Sequence, residues 1–149
     1  MRSTFDDILA FAIEKEKEAV ELYKKMSEFA EKSHIKAMFE DFSKEELNHV
    51  KILEELDIDN LKGRPSGKVT DLKISNYLVD IEFKEGMNYQ DSLIFAMKRE
   101  ETSVKLYKDM LANAQDAKLK ALLEFMVDEE AKHKLRLETE YDDNVFVEG

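Results

Sequence analysis

The chain contains an internal repeat. Shifted by 84 residues, it aligns with itself without a gap from Asp7 opposite Asp91 to Asp57 opposite Tyr141, and 19 of these 51 positions are identical. Such self-similarity indicates that one structural unit is used twice. Within each copy the apolar residues recur at spacings of three and four, which is typical of an amphipathic helix. The repeat therefore predicts two copies of one helical hairpin.

The composition agrees with an all-α fold. A chain of 149 residues, 43% of them hydrophobic, is long enough for one domain with its own core, and it has only four Gly and one Pro. The periodicity predicts four helices, at about 4–31, 34–57, 89–114 and 117–141. The predicted domain spans residues 1–149, with the hairpins at 5–57 and 89–141 and a crossover at 58–88. Candidate helix-capping residues are Ser3 or Thr4, Ser33, Asn88 and Asp116.

The crossover differs in composition from the hairpins. It holds the single Pro and three of the four Gly, so it is predicted to be a long connection and not a tight turn. We expect one helical turn at residues 75–78. Its apolar residues are predicted to lie along the bundle or against a second subunit: Ile74, Tyr77, Leu78, Val79, Ile81 and Phe83.

Charge and cysteine content exclude several classes of protein. The net charge is -11, and Lys and Arg are interleaved with Glu, which argues against a nucleic-acid or anionic-membrane partner. The absence of Cys excludes disulfides, thiol catalysis and cysteine-ligated iron within these residues. The first apolar run, residues 8–13, is too short for a signal peptide or a membrane span. We therefore expect a cytoplasmic protein.

Polar residues interrupt the apolar faces of all four predicted helices. They are Glu16, Glu46, His49, Glu100, Glu130 and His133. Each predicted hairpin has one of these Glu residues on each of its two helices. The two are 30 residues apart in both hairpins, Glu16 from Glu46 and Glu100 from Glu130. They lie level if the turn is midway, with each Glu ~22 Å from it at a rise of about 1.5 Å per residue. Four carboxylates and two imidazoles are thus expected to meet inside the bundle.

Burying four carboxylates together is costly unless protons or cations compensate their charge. Two divalent ions would balance four Glu. The Glu-x-x-His spacing suits this role, because residues three apart on a helix offer an oxygen and a nitrogen to the same cavity. Glu31 and His34 also match this spacing, but they fall at a predicted turn and have no counterpart in the second copy. A bundle with a metal-free polar layer is the alternative.

Four segments of the chain resemble a known family. The segments EKEAVELY, EELNH, EETSVKLY and EEAKH are similar to the ligand segments of the ferritin-like diiron-carboxylate proteins, in particular of the rubrerythrin-like branch. Bundles of that class contribute two single Glu and two Glu-x-x-His motifs. The similarity covers almost the whole chain, and it implies a ferritin-like four-helix bundle.

The resemblance also implies roles for individual residues. Glu46 and Glu130 would bridge two iron ions, with Glu16, Glu100, His49 and His133 as terminal ligands. Tyr23 and Tyr107 would donate hydrogen bonds to the carboxylates, which makes them candidate catalytic residues; a Glu two turns along the helix offers the partner, and simple filling of core space is the alternative. The ligand set suits iron or manganese, with zinc as a substitute.

The resemblance implies a non-haem diiron oxidoreductase that reduces hydrogen peroxide, or dioxygen, at a diferrous site. Rubrerythrins carry a rubredoxin domain with four Cys, which these residues lack, so an external donor protein would supply the electrons. The extra Glu that the family often has on the third helix is Ser103 here, which predicts a more symmetric site. A homodimer is expected. The alternatives are a bacterioferritin-like ferroxidase and a metal-free helical interaction module.

Overall fold

Four long helices dominate the fold. A computed structural model of the chain describes residues 4–56, 73–78 and 87–143. Its long α-helices are α1 Phe5–Phe29, α2 Ser33–Glu54, α3 Tyr89–Ala112 and α4 Ala117–Tyr141. This confirms the predicted all-α fold. The largest difference in a helix boundary is three residues, at the end of α2, which was predicted at 57 and lies at Glu54.

Three of the predicted capping residues are confirmed. Thr4 and Asp7 form a reciprocal capping box at the start of α1, Asn88 accepts a hydrogen bond from the Asp91 amide, and Asp116 accepts from two amides of α4. The prediction for Ser33 is wrong. Ser33 is already helical, and the cap position is Lys32, which makes no side-chain cap hydrogen bond. The Lys32 carbonyl already accepts hydrogen bonds from the amides of Ile35 and Lys36, so the helix begins one residue earlier than predicted.

The direction of each helix follows from two apolar clusters at opposite ends of the bundle. One cluster joins the starts of α1 and α4 to the end of α3, through Phe5, Leu119 and Met110. The other joins the end of α1 to the starts of α2 and α3, through residues such as Met26 and Leu93. Thus α1 and α4 run one way and α2 and α3 the other. The end of α2 and the start of α3 therefore lie at opposite ends of the bundle.

Each helix buries one apolar face and exposes a charged one. The face of α1, for example, buries Ile8, Ala12 and Tyr23 completely. Its opposite face exposes charged residues such as Lys17 and Glu21. In the part of the chain that the structure describes, no helix is long and apolar enough to cross a membrane.

One part of the crossover packs against the bundle. Residues Ile74–Tyr77 form a short 3-10 helix, one residue earlier than the predicted turn. Tyr77 is buried in the first cluster, and its hydroxyl donates to Asp109 Oδ2 of α3 at 2.7 Å, while Leu78 is exposed. The predicted contacts of Val79, Ile81 and Phe83 lie outside the described residues. The crossover is thus fixed to α3 at this point.

Candidate metal centre

A buried polar layer lies between the two apolar clusters. All four helices contribute to it, and each of its six residues is at most 3% exposed. Its members are the six residues that the repeat singled out: Glu16, Glu46, His49, Glu100, Glu130 and His133. They lie on the apolar faces because the spacing between them and the neighbouring core residues matches the helical period. The 30-residue spacing in both hairpins brings them to one level.

The six residues form two overlapping groups. Ligand atoms of the first group lie within 4.8 Å of one another, and the same holds for the second. The first consists of Glu16, Glu46, His49 and Glu130, and the second of Glu46, Glu100, Glu130 and His133. Glu46 and Glu130 belong to both groups. Two ion positions that share two carboxylates would have this arrangement.

Both imidazoles turn the same nitrogen toward the carboxylates. His49 Nδ1 lies 2.9 Å from Glu130 Oε1 and 3.4 Å from Glu46 Oε1. His133 Nδ1 lies 3.0 Å from Glu46 Oε1 and 3.6 Å from Glu100 Oε1. The Nδ1 atoms therefore point into the space between the four helices, and the Nε2 atoms point outward.

Several buried polar atoms of this layer make no hydrogen bond, although some lie within ion-pair distance of each other. These atoms are Glu16 Oε2, Glu46 Oε1, His49 Nδ1, His49 Nε2, Glu100 Oε2, Glu130 Oε1 and His133 Nδ1. Each buried polar atom without a partner costs about 1–3 kcal/mol, so native proteins retain few of them. Every one of these atoms belongs to a residue of the two groups. Cations between the carboxylates and imidazoles would satisfy them together, so the residues fit a two-metal site.

Burial and mutual repulsion disturb the protonation of these groups. Burial, followed by the charge of Glu16, raises the pKa of Glu46 well above its usual value, and burial with the charges of Glu100 and Glu16 does the same for Glu130. Burial alone would lower the pKa of His49, but the adjacent carboxylates of Glu130 and Glu16 raise it to about 10. Without cations, protons therefore compensate part of the negative charge.

Glu16 behaves differently from the two shared carboxylates. Burial acts to raise its pKa, but the adjacent side chains of Glu46 and His49 together outweigh burial and lower the pKa below its usual value. Glu16 thus stays ionised while Glu46 retains its proton.

Two further carboxylates contact the outward nitrogens of the imidazoles. Glu45 Oε2 lies 2.5 Å from His133 Nε2, and Glu129 Oε1 lies 3.7 Å from His49 Nε2. Outer carboxylates of this kind orient a metal-binding imidazole and increase its basicity. The sequence analysis missed both residues. A signal was present, because Glu45 and Glu129 are an identical pair in the repeat.

The two buried tyrosines connect the hairpins. Tyr23 donates to Glu100 Oε1 at 2.5 Å, and Tyr107 donates to Glu16 Oε1 at 2.7 Å. The predicted partner, a Glu two turns along the same helix, is wrong: residues seven apart lie roughly 10 Å apart along the axis, whereas the antiparallel neighbour is level. Burial, followed by the charge of a nearby Glu, raises the pKa of both phenols, so they remain donors. They act as positioning residues.

Removing one phenol should weaken metal binding. In Tyr107→Phe, Glu16 loses the donor that holds Oε1, so we expect metal affinity to fall by roughly 10–100-fold. Leaving this buried acceptor unpaired should also lower the free energy of unfolding by about 1–3 kcal/mol. Metal competition titration and denaturant unfolding measure the two effects. Tyr77→Phe is the control, since it removes the hydroxyl of a buried tyrosine that donates to Asp109 outside this layer. Equal loss of metal affinity in both variants would contradict the prediction.

The remaining Glu-x-x-His match does not belong to the polar layer. Glu31 and His34 are both exposed, on either side of the start of α2. Neither occurs in the two groups of ligand atoms. The interpretation of this match as coincidental is therefore consistent with the structure.

Comparison with known proteins identifies the family. The sequence model named Rubrerythrin matches residues 7–141. The chain belongs to the rubrerythrin family. The match includes both hairpins and the crossover, and no curated protein sequence matches the chain significantly. The predicted resemblance is confirmed. The 149 residues contain no Cys with which to form a rubredoxin-type centre.

Two solved structures share the fold of this rubrerythrin-family chain. A protein from Thermotoga maritima, described as ferritin-like and diiron-carboxylate, superposes with a TM-score of 0.81 at 21% identity, over 97% of this chain and 99% of that one. A hypothetical protein from Pyrococcus furiosus superposes with a TM-score of 0.70 at 25% identity, over 91% of this chain and 86% of that one. The ferritin-like four-helix bundle is therefore confirmed.

Proposed function

We propose that the chain is a non-haem diiron oxidoreductase that reduces hydrogen peroxide to water with electrons from a separate donor. The observation that carries the proposal is the convergence of buried, unpartnered ligand atoms in two groups that share Glu46 and Glu130. In this proposal the two shared carboxylates would hold both ions, and each of the other four residues would hold one: Glu16, Glu100, His49 and His133. Membership of a family with diiron relatives supports the choice of metal.

The ligand chemistry favours iron. Each ion position would have carboxylate oxygens and one imidazole nitrogen, a combination that suits iron or manganese and also admits zinc. A site without thiolates offers no particular advantage to softer ions. We therefore propose two iron ions as the native cofactor.

The proposed reaction needs two electrons and two protons. Two ferrous ions at this site would supply one electron each, so that hydrogen peroxide and two protons give two molecules of water. A separate donor has to return both electrons, because the chain has no Cys to ligate an iron centre of the rubredoxin type. The protein itself holds the carboxylates in place through Tyr23 and Tyr107, and its two apolar clusters keep bulk water from the layer.

The cellular setting belongs to the same proposal. The partners would be a donor protein and a small oxidant, in the cytoplasm, and the chain would act as a homodimer. The acidic surface, with a net charge of -11, favours a donor with a basic docking face. Gel filtration would distinguish a dimer from the large cage that a bacterioferritin-like ferroxidase forms.

The test follows the oxidation of the reduced protein. Protein loaded anaerobically with two equivalents of ferrous iron is mixed with hydrogen peroxide and, in a separate experiment, with dioxygen, while the optical spectrum is recorded. We expect one peroxide to oxidise two ferrous ions, and to do so faster than dioxygen. Faster oxidation by dioxygen would favour the ferroxidase, and failure to bind iron would favour the metal-free interaction module.

A further inference from the structure

The two halves of the proposed site have equivalent ligands but different surroundings. The repeat pairs Asp41 with Phe125 and Glu45 with Glu129. On α4, Phe125 and Glu129 lie beside His49; on α2, Glu45 lies beside His133, and Asp41 lies one turn before it on the same side of the helix. One half therefore has an aromatic ring where the other has a carboxylate.

The surroundings of His49 are comparatively closed. The edge of the Phe125 ring meets the imidazole at 87° with 5.9 Å between the ring centres. Glu129 is 22% exposed, and Lys132 Nζ lies 3.5 Å from its Oε2 atom. An aromatic ring and a neutralised carboxylate therefore cover the outward side of this imidazole.

The surroundings of His133 are open on the outward side. Glu45, which contacts His133 Nε2, is 48% exposed, and Asp41 is also exposed. The residue at the position of Lys132 in this half is Asn48, so the repeat supplies no lysine to neutralise Glu45. The His133 ring stacks on Phe42 with 4.2 Å between the ring centres, which fixes the orientation of the imidazole. An exposed, negatively charged edge therefore leads to this half of the layer.

We infer that the two ions of the proposed site exchange with solvent at different rates. The ion held by Glu100 and His133 exchanges through the edge formed by Asp41 and Glu45, whereas Phe125 shields the ion held by Glu16 and His49. This inference rests on the proposed diiron function. Access of solvent to a metal is controlled by the apolar shell around it, and negative charge raises the local concentration of approaching cations.

The test changes the two unlike residues, Phe125 and Asp41, one at a time. Protein loaded anaerobically with two equivalents of ferrous iron is mixed with excess chelator, and the release of iron is followed with time. We expect two phases of equal amplitude. Phe125→Ala should accelerate the slow phase by roughly tenfold and leave the fast phase unchanged, because only the shielded half loses its cover. Asp41→Phe should slow the fast phase.

The variants decide the test, since two equal positions that empty in sequence could also give two phases. Phe29→Ala is the control, because Phe29 is 49% exposed at the end of α1 and outside the layer; it should change neither phase. A slow phase that Phe125→Ala leaves unchanged, or an accelerated fast phase, would overturn the inference. If two ions bind but are released at a single rate, the inference of unequal exchange is overturned and the proposed function is not. Binding of fewer than two ions would overturn the proposed function as well.

Discussion

Glu46→Ala is expected to abolish the binding of both ions, whereas Glu16→Ala is expected to affect mainly one. Glu46 belongs to both groups of ligand atoms and Glu16 to the first only. We expect the loss of affinity in Glu46→Ala to exceed roughly 100-fold, the upper range for residues that act only through a ligand. Glu130→Ala, its repeat counterpart, should behave in the same way. Metal analysis after anaerobic loading and desalting measures the number of ions per chain.

Two controls separate loss of a ligand from loss of the fold. Glu140→Gln changes another buried carboxylate, one that accepts a hydrogen bond from Tyr89 near the end of α4, and it should leave two ions bound. Glu46→Gln keeps the side-chain volume and, like the protonated Glu46 of the metal-free protein, carries no charge, so metal-free Glu46→Gln should unfold no earlier than the metal-free wild type. If Glu46→Ala and Glu130→Ala retained two ions, the metal-free interaction module would be the better interpretation.

The helices and the polar layer could be predicted because both follow from periodicity. The helical period placed the apolar faces, and the repeat removed the ambiguity of a single Glu-x-x-His motif by supplying a second copy at the same depth. Equal spacing of Glu16 from Glu46 and of Glu100 from Glu130 then fixed the level at which the helices meet. These inferences need only the geometry of one helix and of an antiparallel pair.

The details that the sequence did not predict depend on contacts between hairpins. The partners of Tyr23 and Tyr107 lie on the opposite hairpin, and one-helix geometry cannot identify them. The contacts of Glu45 and Glu129 with the imidazoles likewise depend on how α2 faces α4. The error at Ser33 is one of a single residue at a helix end, the part of a helix that periodicity fixes least.

Rising pH is expected to destabilise the metal-free protein and to stabilise the metal-loaded protein. In the folded chain the pKa of His49 is raised from 6.5 to about 10, and that of His133 is raised as well. Their contribution to stability is complete below pH 6.5 and is lost as the pH rises through the folded pKa. The pKa values of Glu46 and Glu130 are also raised, from their ordinary 4.5, so above pH 4.5 these two residues likewise lower the stability of the folded chain as the pH rises. Metal-free protein should therefore unfold at lower temperature at pH 9 than at pH 6.5.

Bound ions reverse this dependence because they replace the same protons. Deprotonation of Glu46, Glu130, His49 and His133 frees ligand atoms, so metal affinity rises with pH. Free metal at 100 times the dissociation constant adds about 2.7 kcal/mol for each ion bound, and each such increment corresponds to roughly 5–10 °C in the midpoint of unfolding for a chain of this size. Thermal unfolding with and without manganese, which avoids oxidation during the measurement, gives both curves. The gap between them should widen from pH 6.5 to 9, and a gap that narrows would mean that these residues are not the ligands.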